Sequence, residues 1–456
     1  MDIGGLKKIY FIGIGGIGMS ALARYFNHLG KDIYGYDRDK NKLTKKLEAE
    51  GMKIHYKEDI KKIPEGIDLV IYTPAIPDAN LELQWFVDNN YPVIKRAVAL
   101  GEISKTKQTY AIAGTHGKTT TSAILSHILT ECNSGASSLV GGLMVDYKSN
   151  FIYSEGDILV TEADEYDRSF HQLEMQCAAI MSMDSDHLDV YHEHELLIEA
   201  FEQFSLKLRE GGKLFLKSGL ISNMSKSTIL GWNEKDIDVL DFGDEDASIN
   251  VEQLRVENGR FVFDILYRGD LHEGFTSCLP GSHNAENASV AFAMAMELKC
   301  DPEEIKSAIA SFKGIKRRYE RILENEKITI IDDYAHHPTE IKAAIEATRL
   351  MYPDDKLTLV FQPHLFSRTN DFYEAFAEEL SKADDVTLVE IYPAREEPME
   401  GVSSEMICDL ISIADKKCVT KKELVNHLKE KDITLLLILG AGDIDKEIPK
   451  IKKLFK

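Results

Sequence analysis

Residues 108–122 read Gln-Thr-Tyr-Ala-Ile-Ala-Gly-Thr-His-Gly-Lys-Thr-Thr-Thr-Ser, and no other stretch restricts the fold as much. Gln108 to Ala113 is a short, mostly apolar run rich in β-formers. Gly114 to Lys118 interrupts it with two glycines, and Thr119 to Leu129 has the apolar spacing of a helix. A strand, a glycine loop and a helix that opens on Lys-Thr form the build of a triphosphate cradle. Loop N–H groups and the helix N-terminus face the anion, Lys118 neutralises phosphate charge, and the Thr119 hydroxyl is suited to hold Mg²⁺. The full pattern G-x-x-x-x-G-K-[ST] is absent, because Ile112 stands where its first glycine belongs. What is present is a shortened form, Gly114-Thr115-His116-Gly117-Lys118-Thr119, followed by Thr120.

A second glycine turn lies near the start. Ile9 to Ile14 reads as an apolar strand that runs into Gly13-Ile14-Gly15-Gly16-Ile17-Gly18, and Met19 to Leu29 reads as a helix. The next strand, Lys31 to Asp37, ends on an acidic residue 19 positions after Gly18. This fits a dinucleotide fold with Asp37 on a ribose hydroxyl. The chemistry is broader than the motif, since NAD, FAD or a UDP-sugar would each offer a diphosphate to such a loop. Ile67 to Tyr72 and Pro92 to Arg96 continue the strand series. Thr73-Pro74-Ala75 follows at a strand end, where α/β sheets place their ligands, which makes Thr73 and Ala75 candidate contacts.

The chain has 456 residues, enough for about three ordinary domains. Its net charge of −22 argues against nucleic acid as the general partner, because most of the surface would repel a phosphate backbone. Six cysteines form no C-x-x-C pair and read as scattered reduced thiols. With no run of 18 apolar residues and no signal-type start, the expectation is a cytoplasmic protein without a membrane partner.

After the phosphate loop, Ser137 to Gly142 reads as a small-residue turn. A strand from Asp157 to Ala163 then ends in Glu162-Ala163-Asp164-Glu165-Tyr166-Asp167, four carboxylates in six residues. Beside an Mg-ATP cradle these are candidate metal ligands, since Mg²⁺ takes oxygen ligands and shares them with phosphate. The strand Ala178 to Met183 leads to Asp186-His187, and His187 is the candidate second ligand opposite Glu162. Glu195 to Arg209 reads as an amphipathic helix. Alternation through Ile249 to Leu254 and Arg260 to Tyr267, around Asn258-Gly259, signals a hairpin. Pro280-Gly281-Ser282-His283-Asn284-Ala285-Glu286-Asn287 opens a helix over Ala288 to Leu298. Its asparagines suit an adenine edge, and Ser282 and Asn284 serve equally as N-caps. After the basic stretch Gly314 to Tyr319, strands at Ile328 to Asp332, Lys356 to Phe361, Val386 to Ile391 and Thr434 to Leu439 alternate with helices. This implies a further, mostly parallel sheet.

Taken together these motifs resemble the Mur ligases. The residues that carry the resemblance are Gly13 to Ala23, Gly114 to Thr120, Glu162 to Glu165, Asp186 to Asp189, Gly281 to Asn284 with Asn287, Arg317-Arg318 and Asp333 to Pro338. The resemblance implies an α/β protein of three domains. Residues 1–106 would be a Rossmann-like UDP-sugar domain, and 107–313 a P-loop ATPase-type domain with a small antiparallel extension. Residues 314–456 would form a Rossmann-like domain that closes over the site. The implied substrates are UDP-N-acetylmuramate, L-alanine and ATP with Mg²⁺, for a monomer or weak dimer. Gly13, Gly15, Gly16 and Gly18 would serve UDP. Lys118 would hold the β- and γ-phosphates, with Thr119, Glu162 and His187 at metal ions. Asn284 and Asn287 would contact adenine, and Asp333 the ribose. Arg318, Tyr334, His336, His337 and Arg368 would contact phosphate or the reacting ends, with Asp164 and Glu165 at the substrate side. Leu196 to Ser205 contains no lysine, so the modified lysine of several sister ligases is not expected. Asn370 stands where an arginine is often found.

The implied reaction explains the combination. A carboxylate at neutral pH is a poor electrophile, so γ-phosphoryl transfer makes an acyl phosphate, and an amine then expels phosphate. Positioning and charge neutralisation do most of that work, and closure keeps water away. A free α-amino group has a pKa of about 8, so a neutral fraction is present, and His336 is the candidate proton acceptor. Within the family the alternative is a ligase that recycles a preformed tripeptide onto the same sugar. Outside it, an NAD(P)-dependent oxidoreductase would account for the first loop only.

Overall fold

A computed structural model describes residues 3–184, 194–257, 259–394 and 396–456. The first sheet is built from β1 (Lys8–Ile12), β2 (Asp32–Tyr36), β3 (Lys53–His55), β4 (Leu69–Tyr72) and β5 (Val93–Lys95), in the order β3-β2-β1-β4-β5. All its pairs are parallel, so the strand ends face one edge. Helices α1 (Ile17–His28), α2 (Lys42–Ala49), α3 (Leu81–Asp88) and α4 (Arg96–Lys105) connect its strands and lead on from it. Parallel strands buried on both faces need continuous apolar runs, and Ile9 to Ile12 is fully buried.

The second sheet comprises β6 (Gln108–Ala113), β7 (Ala136–Met144), β8 (Ser149–Ile152), β9 (Ile158–Glu162), β10 (Met175–Ile180), β11 (Leu208–Lys217), β12 (Asp238–Phe242), β13 (Ile249–Glu257), β14 (Arg260–Tyr267) and β15 (Asp270–Ser277). Its order is β15-β14-β13-β12-β11-β10-β6-β9-β7-β8. β6 therefore lies between β9 and β10, paired in parallel with each, and helix α5 (Lys118–Glu131) leaves its end. The third sheet contains β16 (Glu320–Glu324), β17 (Thr329–Asp333), β18 (Leu357–Phe361), β19 (Asp385–Leu388), β20 (Lys416–Cys418) and β21 (Leu435–Leu439). Its order is β16-β17-β21-β18-β19-β20, parallel apart from the β16–β17 pair.

The chain divides into two compact units, Met1–Glu252 with Asp264–Phe275 and Glu286–Phe312, and Gln253–Phe263 with Thr276–Ala285 and Lys313–Lys456. In the first unit one core runs from Ile9, Phe11 and Phe26 through Leu139 and Phe151 to Phe201 and Phe204. Helix α1 packs on β7 and β8, with the Tyr25 and Phe151 rings edge-to-face at 6.3 Å. Arg24 fastens that contact. It pairs with both oxygens of Glu50 at 2.8 Å and donates to Asn150 Oδ1 at 2.6 Å. Asn150 in turn donates to Ile17 O at 2.6 Å. Among the described residues no helix is long and apolar enough to cross a membrane.

Three local expectations are corrected. Ser137 to Gly142 is part of β7 rather than a turn, because pairing with β8 and β9 outweighs the weak strand preference of Ser and Gly. The helix expected over Glu195 to Arg209 is His194–Ser205, and Leu208 already opens β11. Arg209 instead donates to the carbonyls of Ser104, Lys105 and Lys107. The helix expected from Ala288 begins at Ser282, so Asn284 and Asn287 lie within its first two turns.

Candidate active site

The end of β6 turns into α5 through Gly114 and Gly117, whose φ angles of +129° and +83° lie where an L side chain is strained. Space is also short. A Cβ on Gly114 would stand 2.8 Å from the Ser182 amide nitrogen, and one on Gly117 would meet Asn287 Oδ1 at 2.9 Å. The loop tip is tied to the residues after β10. Thr115 Oγ1 and Ser182 Oγ are 2.9 Å apart, the His116 N–H donates to Ser182 Oγ at 2.8 Å, and His116 Nε2 lies 3.5 Å from Asp184 Oδ2.

Lys118, the first residue of α5, has its Nζ 2.8 Å from both oxygens of Glu165 and donates to Gly114 O. Burial works against its charge, but the carboxylates of Glu165, Asp164 and Glu162 outweigh that and raise its pKa. Thr119 donates to Glu162 Oε2 at 3.2 Å. The other oxygen of Glu162 accepts from Gly141 N at 2.5 Å and Ser122 Oγ at 3.3 Å. Hydroxyl and carboxylate together form a hard oxygen donor set of the kind Mg²⁺ takes. Thr120 is buried in the first turn of α5. Asn287, from the helix Ser282–Glu297, accepts from Thr121 Oγ1 at 3.1 Å. His187 lies outside the described residues.

In the first loop, Gly13 has φ +83° and faces the Thr73–Ile76 turn, with a Cβ there 2.9 Å from Thr73 Cγ2. The Ala75 N–H donates to Thr73 Oγ1 at 3.4 Å. Gly16 precedes α1, whose first N–H groups have no partner within the helix. Asp37 holds the loop from the end of β2, accepting from Gly15 N at 2.7 Å and Asp39 N at 2.9 Å. Sequence reading missed Arg96 and Gly141. Arg96 Nη2 lies 3.2 Å from Asp164 Oδ2, a partner 68 residues away that no local spacing reveals.

The second unit holds the remaining candidates. Asp333 ends β17 and accepts from Tyr319 N at 2.6 Å and Ala335 N at 2.7 Å. Burial raises its pKa, against the opposing pull of Arg318. Arg318 lies over the Tyr334 ring at 5.2 Å and 3.9 Å from Glu340 Oε1. His336 Nδ1 faces Tyr334 O at 3.0 Å and Glu340 Oε2 at 3.1 Å. His337 caps the helix Pro338–Met351, accepting from Thr339 N at 3.4 Å. The His336 and His364 rings are 5.8 Å apart. Burial, then the neighbouring His336 and Arg368, push His364 down to about 4. Asn284 donates to Pro280 O at 2.7 Å, and Asn370 to its neighbour Asp371 at 3.3 Å.

Three family models match in chain order. They are the Mur ligase family catalytic domain over residues 8–108, the Mur ligase middle domain over 112–295, and the Mur ligase glutamate ligase domain over 317–442. A curated UDP-N-acetylmuramate–L-alanine ligase from Christiangramia forsetii is 43% identical, over 99% of this chain and 98% of its own length. Among solved structures, the UDP-N-acetylmuramate–alanine ligase of Thermotoga maritima superposes with a TM-score of 0.83 at 26% identity, covering 98% of this chain and 99% of that one. A murein peptide ligase from Psychrobacter arcticus shares the fold, with TM-score 0.70 at 21% identity and coverage of 99% and 98%.

Proposed function

This chain belongs to the Mur ligase family, and from that premise we propose that it joins L-alanine to the lactyl carboxylate of UDP-N-acetylmuramate with cleavage of ATP to ADP and phosphate. The observation that carries the reading is the Lys118–Glu165 and Thr119–Glu162 arrangement at a glycine loop, in one unit with a second glycine loop. An oxidoreductase has no use for that arrangement. Identity of 43% to a curated alanine-adding relative supports the choice of amino acid and, with it, a cytoplasmic role in supplying peptidoglycan precursor.

In this reading residues 1–106 take the UDP-sugar, 107–313 take ATP, and 314–456 bring the groups that complete the reaction. The ammonium of Lys118 neutralises the β- and γ-phosphates. Thr119 and Glu162 would hold Mg²⁺, which would supply charge neutralisation on the phosphates when bound. Arg318 lends a second positive charge, and Asp333 orients the ribose. Asn284 and Asn287 serve adenine. His336 would do the proton work. Two acceptors face its Nδ1, which puts the proton there and leaves Nε2 free to receive one from the alanine ammonium.

The test is phosphate release with UDP-N-acetylmuramate, ATP and each of L-alanine, L-serine, glycine and the murein tripeptide. L-Alanine should support the fastest turnover. Preference for the tripeptide would make this a recycling ligase, and NAD(P)H oxidation without ATP consumption would remove the reading altogether.

A further inference from the structure

Arg96 opens α4 directly after β5, at the edge where the parallel strands of the first sheet end. Its guanidinium rests on the first glycine loop. A Cβ added to Gly18 would stand 2.8 Å from Nη1, so only glycine lets the cation come this close to the first turn of α1. The other end of the fork is held weakly, by one contact from Nη2 to Asp164 Oδ2 at 3.2 Å. Asp164 is about two-fifths exposed (43%) and Arg96 about one-fifth (21%). The neighbouring Lys95 pairs with Asp167 at 2.8 Å. The next carboxylate after Asp164, Glu165, holds Lys118 of the second loop. One acidic turn therefore grips Lys118 of the second glycine loop and the arginine that rests on the first.

We infer that Arg96 is a diphosphate-binding residue beside the first loop, and that Asp164 holds it in place until the sugar nucleotide arrives. This rests on the reading that the first loop takes UDP. A partly exposed, single-contact pair contributes little, whereas a guanidinium on a phosphate makes two parallel charge-assisted bonds. The exchange of partners is therefore favourable. It leaves Asp164 with the Tyr166 N–H on its Oδ1 as its remaining contact, beside Glu165, once the nucleotide is bound. Asp164 then competes with the nucleotide for Arg96, and removing its charge helps binding.

Calorimetric titration of the full chain with UDP and UMP tests this. Arg96→Ala and Arg96→Gln should weaken UDP roughly ten- to hundredfold, and UMP much less. Asp164→Asn should tighten UDP about two- to fivefold. Unchanged UDP affinity in both Arg96 variants, or equal losses for UDP and UMP, would overturn the inference. So would weaker UDP binding by Asp164→Asn, since a merely structural clamp fails from either side. Failure of the unaltered protein to bind UDP would overturn the reading of the first loop itself.

Discussion

Lys118 and Glu165, 47 residues apart, form an ion pair with Nζ 2.8 Å from both oxygens of a wholly buried carboxylate. Removing one member leaves an uncompensated charge. Lys118→Ala should lower stability by about 3–5 kcal/mol and turnover by about a thousandfold or more, with UDP binding retained. Replacing Lys118 by Met together with Glu165 by Leu should recover most of the stability and none of the turnover. Denaturant melts beside phosphate release separate the two effects. Near-normal turnover of the alanine variant would defeat the phosphate-neutralising role.

Gly141 sets the position of Glu162. A Cβ there would stand 2.7 Å from Oε1 and closer still to Oε2, pushing the carboxylate away from Thr119. Gly141→Ala should raise the Mg²⁺ concentration for half-maximal activity about tenfold, as loss of a supporting contact does at metal sites. An unchanged magnesium titration would take Glu162 off the list of ligands.

Arg317 holds the loop after β21, donating to Gly442 O at 3.1 Å and to Gly440 O, while its ring contact with Tyr334 is shared with Arg318. Its φ of +61° marks a backbone the surroundings impose. Arg317→Lys keeps the charge but cannot fork to two carbonyls. Turnover should fall by up to about a hundredfold, in line with a misplaced catalytic group, while UDP binding is unaffected. A uniform loss of both would point to misfolding instead.

Asp332 gives a pH dependence. Burial, against the pull of Arg317, pushes its carboxyl up to about 7. A carboxyl with a raised folded pKa binds more protons in the folded chain than in the unfolded one, so stability falls as pH rises from about 4 to about 7. Asp332→Asn removes this slope and should gain about 2–4 kcal/mol relative to the unaltered protein above pH 7. Parallel denaturation curves at every pH would exclude it.

The elements that sequence rendered best are those where local pattern and tertiary role coincide. β6 lies where its apolar run and following glycines put it, because a strand buried on both faces needs both. β7 was hidden, since Ser137, Ser138, Gly141 and Gly142 favour turns locally and are strand residues only through their neighbours. The phosphate loop was legible as a motif, and so was the acidic turn. That Glu165 meets Lys118 while Asp164 meets Arg96 was not, because alternate pairing of adjacent carboxylates depends on where two distant helices begin.

The pairing of β6 with β9, Ile112 opposite Glu162, fixes more than the position of one carboxylate. Side chains along a strand alternate between faces, so Glu162 has a parity as well as an address. Insertion or deletion of a single residue between Ile158 and Glu162 would bring Thr161 or Ala163 to the phosphate loop and send the acid to the far side. Length variation among relatives should therefore collect in the connection between β7 and β8 and at the β13–β14 tip, and the five residues of β9 should keep their count.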